Sequence, residues 1–271
     1  MKKKNILKIV LIVIVIIFVC LVGSSVVLAG ALGGIGPFAF IRENKLAKAE
    51  GNATEYHLEN VITEGQSPLT GKNILFLGSS VTEGACSLGV SMADYIEVLD
   101  NCNVTKEAVS GTTLATVESN SYVERLLKYD NNESYDLVVV QLSTNDASKE
   151  LSLGVISDSN DMDSFDTTTI AGAIEYIISY CENMWNCPVV FYTGTKYDSV
   201  LYGEMVELLL DIGVKWDIHI IDLWSDADMN AVSDEEYALY MYDSIHPTQA
   251  GYLNWWVPKM RPVLYEAITE E

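Results

Sequence analysis

Short apolar runs that alternate with stretches of helical periodicity are the feature that most limits how this chain can fold. Val104–Val109 is the weakest of five such runs, and the clear ones are Asn73–Leu77, Leu137–Gln141, Pro188–Tyr192 and Ile218–Ile221. Strands that are apolar along their length are typical of parallel sheets covered by helices on both faces. The sequence therefore predicts a doubly wound α/β domain around a five-stranded parallel sheet.

Helices are predicted in three of the intervening stretches, where apolar residues recur every three to four positions. They cover residues 92–99, 170–181 and 201–212. Asp166 and Thr167 can cap the start of the second helix, and Gly213 is suited to end the third. Ligands of doubly wound sheets bind in the loops beyond the carboxyl ends of the strands, so functional residues are expected in those loops.

The N-terminal segment from Ile9 to Ile41 carries no ionisable side chain except the thiol of Cys20. About 20 apolar residues suffice to cross a bilayer, so the segment 9–32 is predicted to be a transmembrane signal-anchor. Four lysines precede it, at positions 2, 3, 4 and 8, and they place the tail 1–8 in the cytoplasm. The remainder of the chain is then expected outside the cell membrane.

A cleaved signal peptide is the alternative for the same segment, with Val27–Ala29 or Ala29–Ala31 as the small-residue cleavage site. The protein would then be secreted. Residues 33–71 are polar and lack a sustained apolar period, which predicts a linker or stalk. Residues 72–271 are predicted to form one globular domain.

The chain is strongly acidic, with 38 Asp and Glu against 16 Lys and Arg among its 271 residues and a net charge of −22. A surface of that sign repels phosphate backbones, so nucleic acid is excluded as an expected partner. The 49% content of hydrophobic side chains is enough for a packed core. Disorder is therefore excluded as the main state.

Directly beyond the first predicted strand lies Ser80, in the segment Gly78–Gly84. Glycine permits the tight turn that exposes a hydroxyl at such a position. A phosphate-binding loop is disfavoured, because no Gly-Lys-Ser/Thr follows and the spacing is not that of a dinucleotide fingerprint. Ser80 is therefore a candidate nucleophile, although an ordinary Gly/Ser loop would have the same composition.

A serine nucleophile needs a base, and the chain offers three histidines. His57 lies in the predicted stalk, and His219 lies inside an apolar run, where a structural role is the simpler interpretation. His246 lies in a loop before the last helix, with Asp243 three residues earlier. Asp243 could accept the Nδ1 proton and fix the imidazole tautomer, and Asp222, at a strand end, is the alternative carboxylate.

Donors for a developing oxyanion are available at two further strand ends. Gly111 follows the second predicted strand, and its lack of a side chain lets the backbone approach a substrate closely. Asn145 follows the third strand, in the segment Ser143–Asp146. Each segment is a common turn by itself, so its significance depends on the serine and histidine segments that accompany it.

Taken in order, these segments resemble the SGNH, or GDSL-type, hydrolase family over residues 72–264. The family pattern begins with Gly-Asp-Ser, continues through a Gly and a Gly-x-Asn-Asp segment, and ends with Asp-x-x-His. Two positions depart from it, because Ser79 replaces the usual Asp and Ser143 replaces the Gly before x-Asn-Asp. Neither replacement removes a bond-making group, although Ser143 could alter how Asn145 is presented.

The resemblance implies a flavodoxin-like three-layer sandwich and a serine esterase that works through a Ser-His-Asp triad and an acyl-enzyme. It assigns Ser80 as nucleophile, His246 as general base and Asp243 as the residue that orients the base. The backbone N–H groups of Ser80 and Gly111 and the side chain of Asn145 would form the oxyanion hole. The implied chemistry needs no cofactor and no metal ion.

Outside the apolar segment the chain contains Cys86, Cys102, Cys181 and Cys187, in a compartment where disulfides can persist. Cys181 ends a predicted helix and Cys187 precedes a strand, so a short loop could bring the two sulfurs within bonding distance. Cys86 and Cys102 bracket a helix, which favours two unpaired thiols. The cysteine spacings are not those of a metal site.

Three functions remain open from the sequence. The favoured one is hydrolysis of acyl esters, with O-acetyl groups on glycans and acylated small molecules as expected substrates. The same acyl-enzyme could pass its acyl group to a sugar hydroxyl, which would make the protein an O-acyltransferase on a surface glycan. The fold could also serve as a non-catalytic glycan-binding module.

Overall fold

The computed structural model describes residues 2–34, 36–129 and 133–270. The chain divides into two compact units, Met1–Ala49 and Glu50–Glu271. The first unit consists of helix α1 (Lys2–Gly33), a turn of 3-10 helix at Gly36–Phe38 and helix α2 (Phe40–Leu46). The second unit contains the sheet and every candidate functional residue.

Helix α1 contains the apolar segment that is predicted to cross a membrane. Within the described residues, no single helix has the length and apolar composition of a span, whereas Ile16–Ala31 and Gly36–Leu46 satisfy both together across a 52° bend. The side chains of residues 1–12 lie outside the described part of the structure, including the four lysines predicted to hold the tail in the cytoplasm. The membrane span therefore stays a prediction.

Strands and helices alternate through the second unit. The strands are β1 (Asn73–Gly78), β2 (Asn103–Ala108), β3 (Leu137–Gln141), β4 (Val189–Tyr192) and β5 (His219–Ile221). The helices are α3 (Ser80–Glu83), α4 (Met92–Asp100), α5 (Tyr122–Leu126), α6 (Thr144–Ser148), α7 (Ile170–Trp185), α8 (Val200–Trp216), α9 (Asp234–Tyr240), α10 (Gln249–Gly251) and α11 (Val257–Thr269). A π-helical turn, Tyr252–Trp256, joins α10 to α11.

The five strands form one parallel sheet in the order β2-β1-β3-β4-β5. This is the flavodoxin-like order, and the predicted five-stranded parallel sheet is confirmed. The direction of winding reverses between β1 and β3, so the loops after these two strands diverge and leave a crevice at their carboxyl ends. Ser80 lies directly after β1 at this point.

Two helical layers cover the sheet, because successive side chains of each strand point to opposite faces. One layer contains α7 and α8, and the sheet residues that pack against it include Leu75, Leu77, Val138 and Val140. The other layer contains α4 and α11, and it packs against Ile74, Phe76, Leu137 and Val139. The central strand β3 is buried along its whole length, as its apolar sequence predicts.

Helix α7 begins at Ile170, the first residue of its predicted range, but its capping residue differs from the two predicted ones. Thr169 is the capping residue, and its hydroxyl accepts a hydrogen bond from Gly172 N at 3.2 Å. The predicted caps, Asp166 and Thr167, instead lie in the preceding turn, where Asp166 Oδ1 accepts from Thr168 N at 3.1 Å. The polar cluster before Ile170 does mark a helix start, but its composition does not distinguish which of its members caps the helix.

The sequence pattern predicts that helix α8 ends at Gly213. The helix instead continues to Trp216. Asp217, with φ of 52°, supplies the left-handed residue that ends it. A Cβ at position 213 would come within 2.5 Å of Ile220 Cδ1 on β5. Gly213 therefore lies inside the helix, close to Ile220, and the helix ends where Asp217 adopts the left-handed conformation.

Residues 50–71, predicted as the end of a linker, belong to the second unit and pack against its sheet-containing part. Asn52 is 1% exposed; its Oδ1 accepts from Gln249 N and its Nδ2 donates to Cys86 O, both at 2.9 Å. Leu69 is completely buried. The segment contains three single turns of 3-10 helix, which give no apolar period for sequence reasoning to detect. The compact unit thus begins at Glu50.

The four cysteines of the second unit are buried, and no disulfide bond joins any of them within the described residues. The structure does not join Cys181 to Cys187, although both lie close to the short connection between α7 and β4. Burial raises the pKa of Cys102 and of Cys187 to about 12, and it raises the pKa of Cys181 well above its usual range. These groups are therefore protonated thiols at neutral pH.

Candidate active site

The turn that presents Ser80 is fixed to the neighbouring strand. Gln141, the last residue of β3, accepts hydrogen bonds at its Oε1 from Ser79 N at 2.9 Å and Thr82 Oγ1 at 2.8 Å. A side chain at Gly78 would collide with Thr82. The glycine therefore allows the turn, and the glutamine holds it in place at the carboxyl edge of the sheet.

Ser80, His246 and Asp243 form a continuous chain of hydrogen bonds. Ser80 Oγ lies 2.8 Å from His246 Nε2, and His246 Nδ1 lies 2.9 Å from each carboxylate oxygen of Asp243. Ser80 is 9% exposed, whereas the side chains of His246 and Asp243 are 21% and 47% exposed. With the Nδ1 proton directed at Asp243, Nε2 has a lone pair that can accept the Ser80 proton.

The loop that carries the histidine is closed upon itself. Met241 and Pro247 form an isolated antiparallel bridge, and Tyr242 N donates to His246 O at 2.9 Å. Asp243 Oδ1 also accepts from the backbone N–H groups of Ile245 and His246, at 2.9 and 2.8 Å. The same carboxylate thus shapes the loop and faces the imidazole, which explains the spacing of three residues.

Opposing effects act on the ionisation of Asp243. Burial alone would raise the pKa of the Asp243 carboxyl, but the hydrogen bond and charge of His246 and the backbone N–H groups lower it below the usual range. The group therefore remains a carboxylate at neutral pH. Asp222 accepts from Thr193 Oγ1 at 3.3 Å and from Ser225 N at 3.1 Å, in a separate network. The geometry favours Asp243 over Asp222 as the partner of His246.

The other two histidines lie elsewhere. His219 begins β5 at the opposite end of the sheet, where its Nε2 is 3.2 Å from Glu270 Oε2. His57 belongs to the packed N-terminal segment of the second unit, with Nε2 3.3 Å from Asn52 O. Of the three histidines, the structure places His246 against the serine.

The predicted oxyanion donors come from neighbouring loops at the same edge. Gly111 adopts a left-handed backbone with φ of 80°, and Asn145 Nδ2 donates to Thr112 O at 2.9 Å, which links the loops after β2 and β3. Within the described residues, the N–H groups of Ser80 and Gly111 donate to no protein acceptor. Both N–H groups are available to a substrate oxygen, and one hydrogen of the Asn145 amide remains for the same purpose.

Ser143, which departs from the family pattern, caps helix α6. Its hydroxyl accepts from Asn145 N at 3.2 Å and from Asp146 N at 3.4 Å. Asp146 is completely buried and accepts from the N–H groups of Leu114 and Ala115, at 2.8 and 3.0 Å. These contacts hold Asn145 between a cap and a buried carboxylate, so the serine keeps the turn in place of the glycine.

Arg125 is a site residue that the sequence reasoning missed. Its guanidinium is completely buried and donates to Gly78 O at 2.7 Å, to Thr112 Oγ1 at 3.2 Å and to Glu107 O at 2.8 Å. It thus joins the end of the nucleophile strand to the loop that contains Gly111. The available signal was a lone cation within the apolar residues of a short helix, which is a rare arrangement unless the charge is paired.

A narrow apolar crevice lies beside the serine. Its lining includes Val81, Thr144 and Ile245, which are sequence neighbours of the candidate site residues, together with Tyr192 and Tyr197. Its empty space, about 240 Å³ including the mouth, is too narrow at every point to admit a water molecule. A wider opening near His219, at the amino ends of β4 and β5, is remote from these loops, so size alone does not identify the site.

Residues 76–253 match the model of the GDSL-like lipase/acylhydrolase family. The chain belongs to this family. The GDSL-like domain covers more than half of the chain, from β1 to the π-helical turn, and contains every candidate site residue. Membership confirms the predicted family and makes the protein a serine hydrolase that acts on esters.

Solved structures share the fold of this GDSL-like hydrolase at low sequence identity. A Lactobacillus plantarum protein is 19% identical with a TM-score of 0.61, covering 73% of this chain and 98% of its own. A candidate GDSL-like lipase from Bacteroides ovatus is 18% identical with a TM-score of 0.54, covering 73% and 99%. A possible lipase from Chitinophaga pinensis is 18% identical with a TM-score of 0.52, covering 72% and 98%. No curated protein matches the chain.

Proposed function

We propose that this protein is a membrane-anchored, extracytoplasmic serine esterase that removes short acyl groups, such as O-acetyl groups on glycans. The observation that carries the proposal is the hydrogen-bond chain from Ser80 Oγ through His246 to Asp243. A serine, a base and a carboxylate in this order provide a nucleophile, a proton acceptor and a group that stabilises the resulting imidazolium.

In the proposed reaction, His246 Nε2 takes the proton of Ser80 as the serine oxygen attacks the acyl carbon. The oxyanion accepts hydrogen bonds from Ser80 N, Gly111 N and the amide of Asn145. The alcohol then leaves with the proton from His246, and the acyl group stays on the serine. Water then attacks the acyl carbon and gives a proton to the same imidazole. The bond from the acyl carbon to Ser80 Oγ breaks, the acid leaves, and His246 returns the proton to Ser80 Oγ.

The preference for short acyl groups is supported by the crevice beside Ser80. Among the described residues the crevice has no preformed room for an acyl group of any length, so a short acyl group requires the smallest movement of its walls, which include Tyr197 and Ile245. The exposed sides of His246 and Asp243 leave the alcohol half of the ester in solvent. A bulky polar alcohol, such as a sugar within a polymer, can be accommodated in solvent on this exposed side of the site.

The proposed location is supported by the apolar segment 9–32 and the lysines before it. An uncleaved segment of this kind keeps its N-terminus in the cytoplasm and the hydrolase unit outside. Protease applied to intact cells is then expected to release an active acidic fragment. Recovery of enzyme in the culture medium with an N-terminus near Gly30 would instead support a cleaved signal peptide and a secreted protein.

The catalytic proposal is tested with the full chain purified in detergent. Hydrolysis of p-nitrophenyl acetate, butyrate and octanoate is compared with release of acetate from an acetylated glycan, for the wild type, Ser80→Ala and Ser164→Ala. We expect acetate esters to be the best substrates and Ser80→Ala to lose turnover with an unchanged circular dichroism spectrum. Ser164, on an exposed turn, is the matched serine control. Full activity of Ser80→Ala would contradict the mechanism.

A further inference from the structure

A cysteine thiol lies against the base of the candidate triad. Cys86 Sγ, a ring nitrogen of His246 and a carboxylate oxygen of Asp243 all lie within 4.8 Å of one another. Cys86 is 4% exposed, and it belongs to the turn that follows α3. The proposed reaction assigns no step to this thiol, so its position requires a separate explanation.

The position of the thiol is fixed from both sides. Asn52 Nδ2 donates to Cys86 O at 2.9 Å, and Gln249 Nε2 donates to the carbonyl of the next residue, Ser87, at 3.0 Å. Asn52 and Gln249 are both buried and are also joined to each other. The cysteine is therefore held beside the histidine loop by Asn52 and by Gln249 of α10, which also bond to each other.

One sulfur, one imidazole nitrogen and one carboxylate oxygen form a donor set that suits Zn²⁺. At bond lengths of about 2.0–2.3 Å, neighbouring N, O and S donors of a tetrahedral zinc ion are about 3.3–3.6 Å apart. The sulfur therefore has to approach, whereas the Asp243 oxygens, now 2.9 Å from Nδ1, have to move away by about 0.4 Å. The exposed carboxylate of Asp243 gives an ion an entry path and can move towards it. A water molecule would complete the coordination.

The remaining thiols lack such partners. Cys102, Cys181 and Cys187 are buried, and none belongs to a group of three potential ligands within the part of the chain that the structure describes. The arrangement at Cys86 is thus a property of that position and not of buried cysteines in this fold generally.

We propose that Cys86, His246 and Asp243 form an inhibitory site for a thiophilic divalent cation such as Zn²⁺. This inference rests on the proposed role of His246 as the base. The nitrogen that faces Asp243 is Nδ1. When the metal takes the Nδ1 lone pair, the ring proton moves to Nε2, and the thiol releases its proton to solvent as the metal–sulfur bond forms.

Metal binding then removes the base without blocking the serine. Nε2–H donates to Ser80 Oγ and has no lone pair left to accept the serine proton. Asp243 exchanges its role at the imidazole for a bond to the metal. Inhibition is reversible, because a chelator removes the ion and restores the Nδ1–H tautomer. The enzyme is then inactive while zinc is bound and active after the zinc is removed.

The test uses the full chain in detergent with Co²⁺ as a spectroscopic substitute for Zn²⁺. Wild type, Cys86→Ala, Cys86→Ser and the control Cys102→Ala are titrated with CoCl₂, and the thiolate-to-cobalt charge-transfer band is recorded. We expect the band in wild type and Cys102→Ala, its displacement by ZnCl₂, and its loss in both Cys86 variants. Absence of the band in wild type would overturn the proposal.

Inhibition is measured in parallel, relative to the uninhibited rate of each variant. We expect ZnCl₂ to inhibit hydrolysis of p-nitrophenyl acetate by the wild type, with recovery on adding EDTA. The Cys86 variants should need at least about 10-fold more zinc, since loss of even an indirect contact weakens metal sites by about 10–100-fold. Equal inhibition of wild type and Cys86→Ala would overturn the site. If the protein shows the cobalt band but no esterase activity, the proposed function fails and the metal site stands.

Discussion

At the scale of single residues, Asp243 combines two tasks in one carboxylate. Its Oδ1 accepts hydrogen bonds from two backbone N–H groups of its own loop, and both carboxylate oxygens face His246 Nδ1. An amide in its place keeps an oxygen for the backbone but loses the negative charge. Substitution by asparagine therefore separates the task of shaping the loop from the task of stabilising the imidazolium.

We expect Asp243→Asn to remain folded and to lower kcat by about 10²–10⁴-fold, because an amide can hold the wrong imidazole tautomer and does not stabilise the cation. Steady-state kinetics with p-nitrophenyl acetate measures the effect. Asp222→Asn is the matched control, since Asp222 bonds to Thr193 and Ser225 and not to the imidazole. A near-normal Asp243→Asn beside an impaired Asp222→Asn would reverse the assignment.

Asp146 gives a prediction about pH and stability. Burial raises its pKa above 3.8, against the opposing hydrogen bonds from Ser143 and from the backbone of Ala115 and Leu114. Between the unfolded and folded pKa values the folded state binds more protons, so the free energy of unfolding falls as pH rises through this range. The quantity to compare is the Tm of the wild type minus the Tm of Asp146→Asn. We expect this difference to be larger at about pH 3.5 than at about pH 7. A pH-independent difference in thermal melts would refute this linkage.

At the scale of elements, Arg125 connects three pieces of the fold. Helix α5 delivers its guanidinium to the end of β1, to β2 and to the loop with Thr112, and the Tyr122 ring lies 5.1 Å from it. Removal of the cation leaves the Gly78 carbonyl without this donor and Glu107 without its ion pair. Arg125 is thus a positioning residue for the turn and the oxyanion loop.

Arg125→Met should lower Tm by about 6–12 °C, since breaking a buried ion pair costs about 3 kcal/mol in a domain of this size. It should also lower kcat by at least about 10-fold with little change in KM, because the oxyanion donors contribute in the transition state. Arg125→Lys should recover part of kcat. Arg261→Met, which breaks the pair with buried Asp100, is the control for stability alone. Equal effects of the two methionine variants on kcat would contradict a positioning role.

The strands and the main helices could be predicted from the sequence because the apolar pattern of each segment is the main determinant of its structure. Leu137–Gln141 is apolar throughout and is found as a buried central strand with the predicted bounds. Gly213 misled the prediction because Asp217 adopts the left-handed conformation that ends the helix, so no glycine is needed as the stop. Residues 50–71 could not be placed, since their contacts with Gln249 and Arg261 are non-local.

The candidate site divides in the same way. Ser80, Asp243 and His246 could be selected because a reactive side chain after a strand, or three residues from a histidine, leaves a local pattern. Arg125 and Gln141 act by reaching other loops from within regular elements, and such reach has no signature in one sequence. The predicted roles of the selected residues await the kinetic experiments.

At the scale of the whole molecule, the segment 50–71 decides where the hydrolase unit begins. Its buried Asn52 and Leu69, and the ion pair of Glu64 with Arg261, attach it to the last helical region. We expect a fragment of residues 50–271 to fold and hydrolyse acetate esters like the full chain. A fragment of residues 72–271 should have a lower Tm and lower activity, as measured by thermal melts and kcat/KM. Equal stability of the two fragments would make the segment dispensable.

The two ends of the hydrolase unit meet at the hydrogen bond between Ser80 and His246, which are 166 residues apart in the chain. At about 5–20 residues per second, the ribosome adds the histidine roughly 10–30 s after the serine. Under the proposed mechanism, a nascent or truncated chain carries a serine without its base and is expected not to hydrolyse esters. The proposed activity would then begin only after the His246 loop has been synthesised and has closed against the first strand, so synthesis itself would delay the chemistry until the chain is nearly complete.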